Sequence, residues 1–345
     1  MHSSSKKVTL KDVAEAAKVS RMTVSLALRN HPSLPKSTRY RIREVAERLG
    51  YRPDPNIGQL MEKIRGKKTH RLPNVIAYLT AHKRRDDWHN EPTQRMYYEG
   101  AKWRADELGY CLEEFWLREP GMTERRLSEI VRNRGIEGAL IAPVPIAQEL
   151  FLDFHWDYVS AVEIGYSLIK PALHRCCNHQ FHSMMALMRN LQRAGYRKIG
   201  LAMRRDQDTR THHNWRAGYL ASLDLLDLSK TVPMLLPDSW SRSAFAKWLH
   251  KHHPDVIVTS GLDVALWLKA LDIRVPGEIG LANIDLSPAM GDMTGIDQNS
   301  HDVGTAAFDL LVSLMRLNER GIPKLPRVLM LEGNYVQGST TRKVG

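Results

Sequence analysis

The sequence predicts an all-α helix-turn-helix head joined to a two-lobed α/β body built on parallel doubly wound sheets. Three observations lead there. Positive charge is concentrated in the first fifth of the chain. That fifth carries the apolar spacing of short helices. From residue 73 onward, strand-like and helix-like patterns alternate.

The chain has 345 residues, 43% of them hydrophobic, which is ordinary for a globular protein with more than one domain. No apolar run approaches the roughly 18–20 residues needed to span a bilayer. The stretch Met1 to Lys7 is polar and basic and lacks the apolar segment of a secretory leader. Cys111, Cys176 and Cys177 form no disulfide framework, and the adjacent pair resists bridging. Reduced thiols in a cytoplasmic protein are the expectation.

Residues 1–72 hold 17 Lys and Arg against 6 Asp and Glu, whereas the whole chain has a net charge of +12. Nearly all the excess therefore sits on a short head above a near-neutral body. A polyanion is the partner this distribution suits.

The head is patterned rather than low in complexity. Thr9 can cap a first helix over Leu10–Ala17, with Val13, Ala14 and Ala17 in its apolar stripe. Lys18-Val19 makes a tight turn. Ser20 caps a second helix over Arg21–Leu28, and Asn30-His31-Pro32 ends it. A third helix spans about Lys36–Leu49, with Tyr40, Ile42, Val45, Ala46 and Leu49 as its apolar face and Gly50 closing it. Two short helices joined by a tight turn, then a supporting helix, form a helix-turn-helix. Val24 and Leu28 should face the core, so Arg21, Met22 and Ser25 face outward at the N-terminus of the reading helix. Ser20, Thr23 and Ser25 can donate to phosphates. Arg21 can reach guanine with two donors, and Met22 can touch a thymine methyl.

In the body, strands are expected at Val75–Thr80, Cys111–Leu117, Ala139–Pro143, Tyr158–Ile164, Lys198–Met203, Val256–Ser260 and Ile279–Asp285. Helices are expected at Thr93–Leu108, Glu124–Arg134, Phe181–Ala194, Trp215–Leu226, Ser241–Lys251 and Val264–Leu271. This alternation implies parallel sheets, and its length favours two lobes over one.

The runs Val8-Thr9-Leu10-Lys11-Asp12-Val13-Ala14, Val19-Ser20-Arg21-Met22-Thr23-Val24-Ser25 and Leu49-Gly50-Tyr51-Arg52-Pro53 resemble the LacI/GalR family of bacterial regulators. Weaker landmarks continue through Trp215-Arg216-Ala217-Gly218-Tyr219, Asn283-Ile284-Asp285 and Gly295-Ile296-Asp297-Gln298 to Gly338-Ser339-Thr340. The resemblance implies a helix-turn-helix domain at 1–52, a hinge helix and linker at 53–72, and a periplasmic-binding-protein-like core at 73–340. Lobe 1 would comprise about 73–177 and 291–324, and lobe 2 about 178–290 and 325–340, with crossings near 178, 290 and 325. It implies a homodimer on a palindromic operator in double-stranded DNA and a small effector, a sugar or sugar derivative, between the lobes. Thr9, Leu10, Asn30, Thr38, Tyr51, Asn56 and Ile57 join the DNA-contacting positions by the same resemblance, and Leu60 falls where the family wedges a leucine into the minor groove. Pro55 suits the first turn of that hinge helix, while Gly58 weakens it by roughly 1 kcal/mol relative to Ala.

Some positions depart from the family. Leu26 stands where an arginine is common, so the operator should differ from the common ones. Asp54 replaces a common asparagine. In the cleft, Trp215 replaces an arginine, and Gly261-Leu262 replaces an Asn-Asp pair. Tyr166, Trp215, Asp285 and Gln298 remain as candidate effector contacts. No nucleophile elbow, phosphate loop or paired zinc-ligand motif marks an enzyme. The histidine-rich spots at His212-His213 and His250-Lys251-His252-His253 make poor chelates, so neither a metal nor a cofactor is expected. A binding-protein-type receptor without specific DNA binding is the alternative, and the well-formed basic head argues against it.

Overall fold

The computed structural model describes residues 8–28, 33–49, 51, 74–144, 153–228 and 232–343. Asn30, Gly50 and the whole hinge segment 53–72, with Asn56, Ile57 and Leu60, lie outside the described residues.

The head contains α1 (Leu10–Ala17), α2 (Arg21–Leu28) and α3 (Lys36–Arg48). Thr9 and Asp12 form a reciprocal capping box, in which the Asp12 carboxylate accepts the Thr9 backbone N–H at 2.7 Å. Lys18 adopts a left-handed conformation with φ 51°, which ends α1 and turns the chain. Ser20 Oγ then accepts from the Thr23 N–H at 3.1 Å and starts α2. Val13, Ala14, Ala17, Val24, Ala27, Ile42 and Ala46 make the buried centre, with Leu28, Val45 and Leu49 packed around it. Tyr40 does not join them: it is 69% exposed. It lies two residues before Ile42, about 200° around the helix, and so points away from the stripe that Ile42, Val45, Ala46 and Leu49 share.

Lobe 1 holds β1 (Asn74–Thr80), β2 (Tyr110–Trp116), β3 (Gly138–Ile141), β4 (Ser160–Ile164), β5 (His174–Asn178) and β10 (Val328–Leu331). Its helices are α4 (Pro92–Glu107), α5 (Glu124–Asn133) and α11 (Ser300–Leu317). The strands pair in parallel in the order β10-β5-β4-β3-β1-β2. Period two along β1 sends Ala77 and Leu79 to one core and Ile76 and Tyr78 to the other, so both faces of the sheet are covered.

Lobe 2 holds β6 (Ile199–Ala202), β7 (Val256–Thr259), β8 (Gly280–Asn283), β9 (Thr294–Asp297) and β11 (Asn334–Val336). Around them lie α6 (Gln180–Arg193), α7 (Arg205–Arg210), α8 (Asn214–Leu225), α9 (Arg242–His252) and α10 (Asp263–Ala270). The order is β11-β9-β8-β7-β6, parallel except for β11.

The chain passes between the sheets after β5, after β9 and after β10. The first passage lies at Asn178-His179. The second falls at Gln298-Asn299 rather than near 290, because β9 pairs with β8 through Ala282↔Thr294 and Asn283↔Gly295 and belongs to lobe 2. The third falls at Glu332-Gly333 rather than near 325, because β10 continues the lobe 1 sheet in register with β5.

Lobe 1 is closed by the crossing of α4 over α11. A Cβ on Gly100 would sit 1.9 Å from the His301 carbonyl oxygen, and one on Gly304 would sit 2.0 Å from that of Tyr97. The two backbones touch there, and no larger residue fits.

Candidate functional site

The head offers a polar, basic face. Arg21 and Met22 open α2 and project outward, Met22 with 71% of its surface exposed. An exposed methionine at a helix N-terminus contributes nothing to the head core, which fits a contact surface. Ser25 and Leu26 lie one turn further along and are half-buried. The Ser20 and Thr23 hydroxyls sit 2.8 Å apart and share one hydrogen bond, so each keeps capacity for an outside partner. The Thr9 hydroxyl donates to Asp12 at 2.7 Å, at the start of α1. Leu10 and Tyr51 pack partly against the head core, and the Tyr51 N–H closes onto the Ala46 carbonyl at 2.9 Å. Thr38 is half-buried in the first turn of α3.

A second site lies between the lobes, at the carboxyl ends of the strands, where open α/β sheets bind ligands. Pro143 follows β3, Gly165 to Ser167 follow β4, Ser260 follows β7, Asp285 follows β8 and Gln298 follows β9; all line one cavity of about 140 Å³. That volume is smaller than the ~300–1,000 Å³ of sites for drug-sized molecules, and it suits a compact ligand. The structure brings Tyr166, Trp215, Asp285 and Gln298 together on this wall.

Their environments differ. Gln298 is 2% exposed and spans the second crossing. Its Nε2 donates to the Ile284 carbonyl at 2.6 Å, its Oε1 accepts from Ser183 at 3.2 Å, and its own carbonyl accepts from Asn178 at 2.6 Å. Its side-chain amide is therefore used within lobe 2, and its main-chain carbonyl makes the bond to lobe 1. Asn178 in turn accepts from the Tyr97 hydroxyl at 2.5 Å. Trp215 packs into the lobe 2 core, while its indole Nε1 is buried without an acceptor among the described residues. Asp285 accepts from the Thr93 hydroxyl at 2.9 Å through Oδ2, and its Oδ1 is buried without a donor among the described residues. Burial pushes the Asp285 carboxyl up to about 6, against the lowering effects of Thr93 and Arg210.

Tyr166 sits on the turn after β4. Behind it, fully buried Glu163 accepts the Leu168 N–H at 2.7 Å and lies 3.1 Å from the Arg175 guanidinium. Desolvation raises Glu163 to about 7 despite Arg175. Arg175 also stacks 5.0 Å from the Tyr166 ring centre, so this buried pair fixes the ring at the edge of the cleft.

Sequence reasoning missed Gln94, Gln180, Gln207 and Arg210, which also line the cavity. Arg210 matters most. From α7 it brings a guanidinium to the cavity that Trp215 lines from the next helix. Its Nε is buried without an acceptor among the described residues. The segment Arg205-Asp206-Gln207-Asp208-Thr209-Arg210 contains no apolar residue, so no periodicity announces a helix. Buried Asp208 anchors it instead, through His213 at 2.8 Å and Arg216 at 3.5 Å.

A helix-turn-helix head on a two-lobed binding core defines a DNA-binding transcription regulator with an effector-binding domain. Residues 9–54 match the family described as bacterial regulatory proteins, lacI family, and residues 188–341 match the periplasmic binding protein-like domain. The chain thus carries a lacI-type helix-turn-helix domain and a periplasmic-binding-protein-like domain. It is 47% identical over 53 residues to the probable HTH-type transcriptional repressor ExuR of Bacillus subtilis, a match covering 15% of this chain and 16% of that protein. It is 22% identical over 327 residues to the HTH-type transcriptional repressor CytR of Escherichia coli, covering 89% of this chain and 90% of that one. Among solved structures, a transcriptional regulator CelR–cellobiose complex superposes with TM-score 0.62 at 20% identity, over 97% of this chain and 100% of the other. The lac repressor dimer bound to operator and the anti-inducer ONPF gives 0.59 at 18% identity, over 97% and 99%. These two likenesses show the fold. No helix among the described residues is long and apolar enough to cross a membrane.

Proposed function

We propose that this chain represses transcription in the cytoplasm as a homodimer on a palindromic operator, and that a sugar or sugar derivative in the interlobe cleft sets its DNA affinity. One observation carries the effector half. Six buried polar atoms of residues on the cavity wall find no partner among the described residues: Gln94 Oε1, Gln180 Oε1, Gln207 Oε1, Asp285 Oδ1, Arg210 Nε and Trp215 Nε1. Each such atom costs roughly 1–3 kcal/mol when unsatisfied. Four acceptors and two donors converging from both lobes match a molecule dense in hydroxyl groups, which both donates and accepts. Trp215 and Tyr166 add flat apolar surface for a ring.

The DNA half rests on the head. One short helix reads few bases, so two heads on a symmetric site are needed for selectivity. A ligand that binds the closed cleft more tightly than the open one changes the geometry of the paired heads. The cellobiose complex and the operator-bound dimer among the matched folds lend this reading support. No enzymatic role is proposed.

The test is a thermal-shift screen of monosaccharides, sugar acids, nucleosides and nucleobases on the full chain, followed by DNA binding with each hit. A hit should raise the melting temperature in proportion to the logarithm of its concentration and change operator affinity at least fivefold. Hits that stabilise the protein without changing DNA affinity would overturn the regulatory reading.

A further inference from the structure

The hinge of the body holds a group of side chains that neither DNA nor effector binding uses. His179 follows β5 at the first crossing, His182 sits in the first turn of α6, and Glu332 sits at the third crossing. Their ligating atoms lie within 4.8 Å of one another. The His182 Nδ1 is 3.0 Å from Glu332 Oε1. The His179 and His182 rings stack with centres 3.7 Å apart and planes inclined by only 9°. Spacing alone could not reveal the set, because His182 and Glu332 stand 150 residues apart.

We infer that His179, His182 and Glu332 form a divalent transition-metal site that clamps two of the three crossing strands. Two imidazole nitrogens and one carboxylate oxygen are the donors that Zn²⁺ takes when three protein ligands leave a fourth position open. Imidazole donors also favour Zn²⁺, Ni²⁺ or Cu²⁺ over Mg²⁺ and Ca²⁺. Tetrahedral Zn–N bonds of 2.0–2.1 Å place ligand atoms about 3.3 Å apart, so atoms now up to 4.8 Å apart must close by as much as about 1.5 Å, and the His182 ring must turn out of its stack on His179, since a metal lies in the plane of each imidazole it binds. The side chains of His182 and Glu332 are 53% and 63% exposed and can rotate to do so.

The backbone around the set is already tied. The His179 N–H donates to the Leu331 carbonyl at 2.8 Å, and Asn299 Nδ2 at the second crossing donates to the Glu332 carbonyl at 2.8 Å. A metal here adds a side-chain link between segments that must turn relative to each other when the lobes open or close. It makes lobe motion sensitive to metal as well as to effector.

The experiment titrates tag-free, full-length protein with Zn²⁺ by calorimetry, with Mg²⁺ as the negative probe. His182→Ala, Glu332→Gln and a His250→Ala control are compared with the parent chain. One equivalent of Zn²⁺ should bind to the parent and to the control, and binding should weaken at least tenfold in both His182→Ala and Glu332→Gln. Equal affinity in all four proteins would overturn the site. Hydrogen exchange with and without Zn²⁺ tests the clamp. Protection at both 178–183 and 331–334 is expected, and protection at 178–183 alone would overturn bridging by Glu332.

Discussion

Thr93, in the first turn of α4 in lobe 1, donates its hydroxyl across the cleft to Asp285 Oδ2 of lobe 2 at 2.9 Å. This bond joins the lobes at the ligand cavity itself. The second carboxylate oxygen is buried on the same wall without a partner among the described residues. A ligand hydroxyl donating to Oδ1 would therefore engage the residue that already ties the two lobes together.

The Asp285 carboxyl gives a pH signature. Burial raises it from an ordinary 3.8 to about 6 in the folded protein. A raised carboxyl contributes stability that is fully present below the unfolded value, and that is lost as pH rises through the folded value. Between about pH 4 and 6 the folded state holds the extra proton, so stability falls over that window as pH increases. Asp285→Asn keeps the shape and removes the titration. In thermal melts, the variant should gain on the parent from pH 4 to pH 6.5, by on the order of 1–3 kcal/mol. A constant difference across that window would contradict the assignment.

The crossing of α4 and α11 makes a packing prediction. Gly304→Ala places a methyl 2.0 Å from the Tyr97 carbonyl oxygen, against main chain that cannot swing aside. Overpacking of this kind costs about 1–3 kcal/mol or more, and urea unfolding of the variant should show it. Gly277→Ala is the control, since its added carbon meets nothing closer than 3.5 Å.

In the head, Arg21→Ala should weaken binding to the selected operator by ~1–3 kcal/mol while leaving binding to random DNA nearly unchanged. Fluorescence anisotropy at two salt concentrations separates the terms. Equal losses on both DNAs would mean that Arg21 meets only phosphate. Met22→Ala should lose less than Arg21→Ala and should change the preference at a thymine position.

Arg210→Gln tests the guanidinium that α7 supplies. Ligand-induced stabilisation should drop by about 1.5–3 kcal/mol, the range for a hydrogen bond to a charged group. The melting temperature without ligand should change little below about pH 6, where Asp285 is largely neutral, because Arg210 Nε has no hydrogen-bond partner among the described residues to lose. An undiminished ligand shift would remove Arg210 from the site.

Legibility in the sequence followed local physics. The bounds of α1 and α2 were readable because caps and apolar stripes coincide at Thr9, Ser20 and Lys18. The strands β1, β3, β4 and β7 were readable as short apolar runs. Strand β5, His174-Arg175-Cys176-Cys177-Asn178, was not, because its polar side chains find their partners far away in sequence, His174 in Glu319, Arg175 in Glu163 and Asn178 in Tyr97 and Gln298. Helix α7 was hidden because ion pairs rather than apolar spacing hold it, and Arg210 was hidden with it. Helix α11 carries an open apolar pattern in Val303, Ala307, Phe308 and Leu311, yet no expectation covered it. The misplaced crossings followed from the unassigned β9 and β10, whose lobe is set by pairing partners remote in sequence.

In the proposed function, one chain couples a ligand in the cleft to selective DNA binding by the head. The most direct measurement is nuclease footprinting of the full chain on selected genomic fragments, with and without a ligand from the thermal screen. A protected palindrome is expected, its occupancy falling as salt rises and shifting at least fivefold with ligand. Uniform, sequence-independent protection, or a specific footprint indifferent to every stabilising ligand, would contradict it.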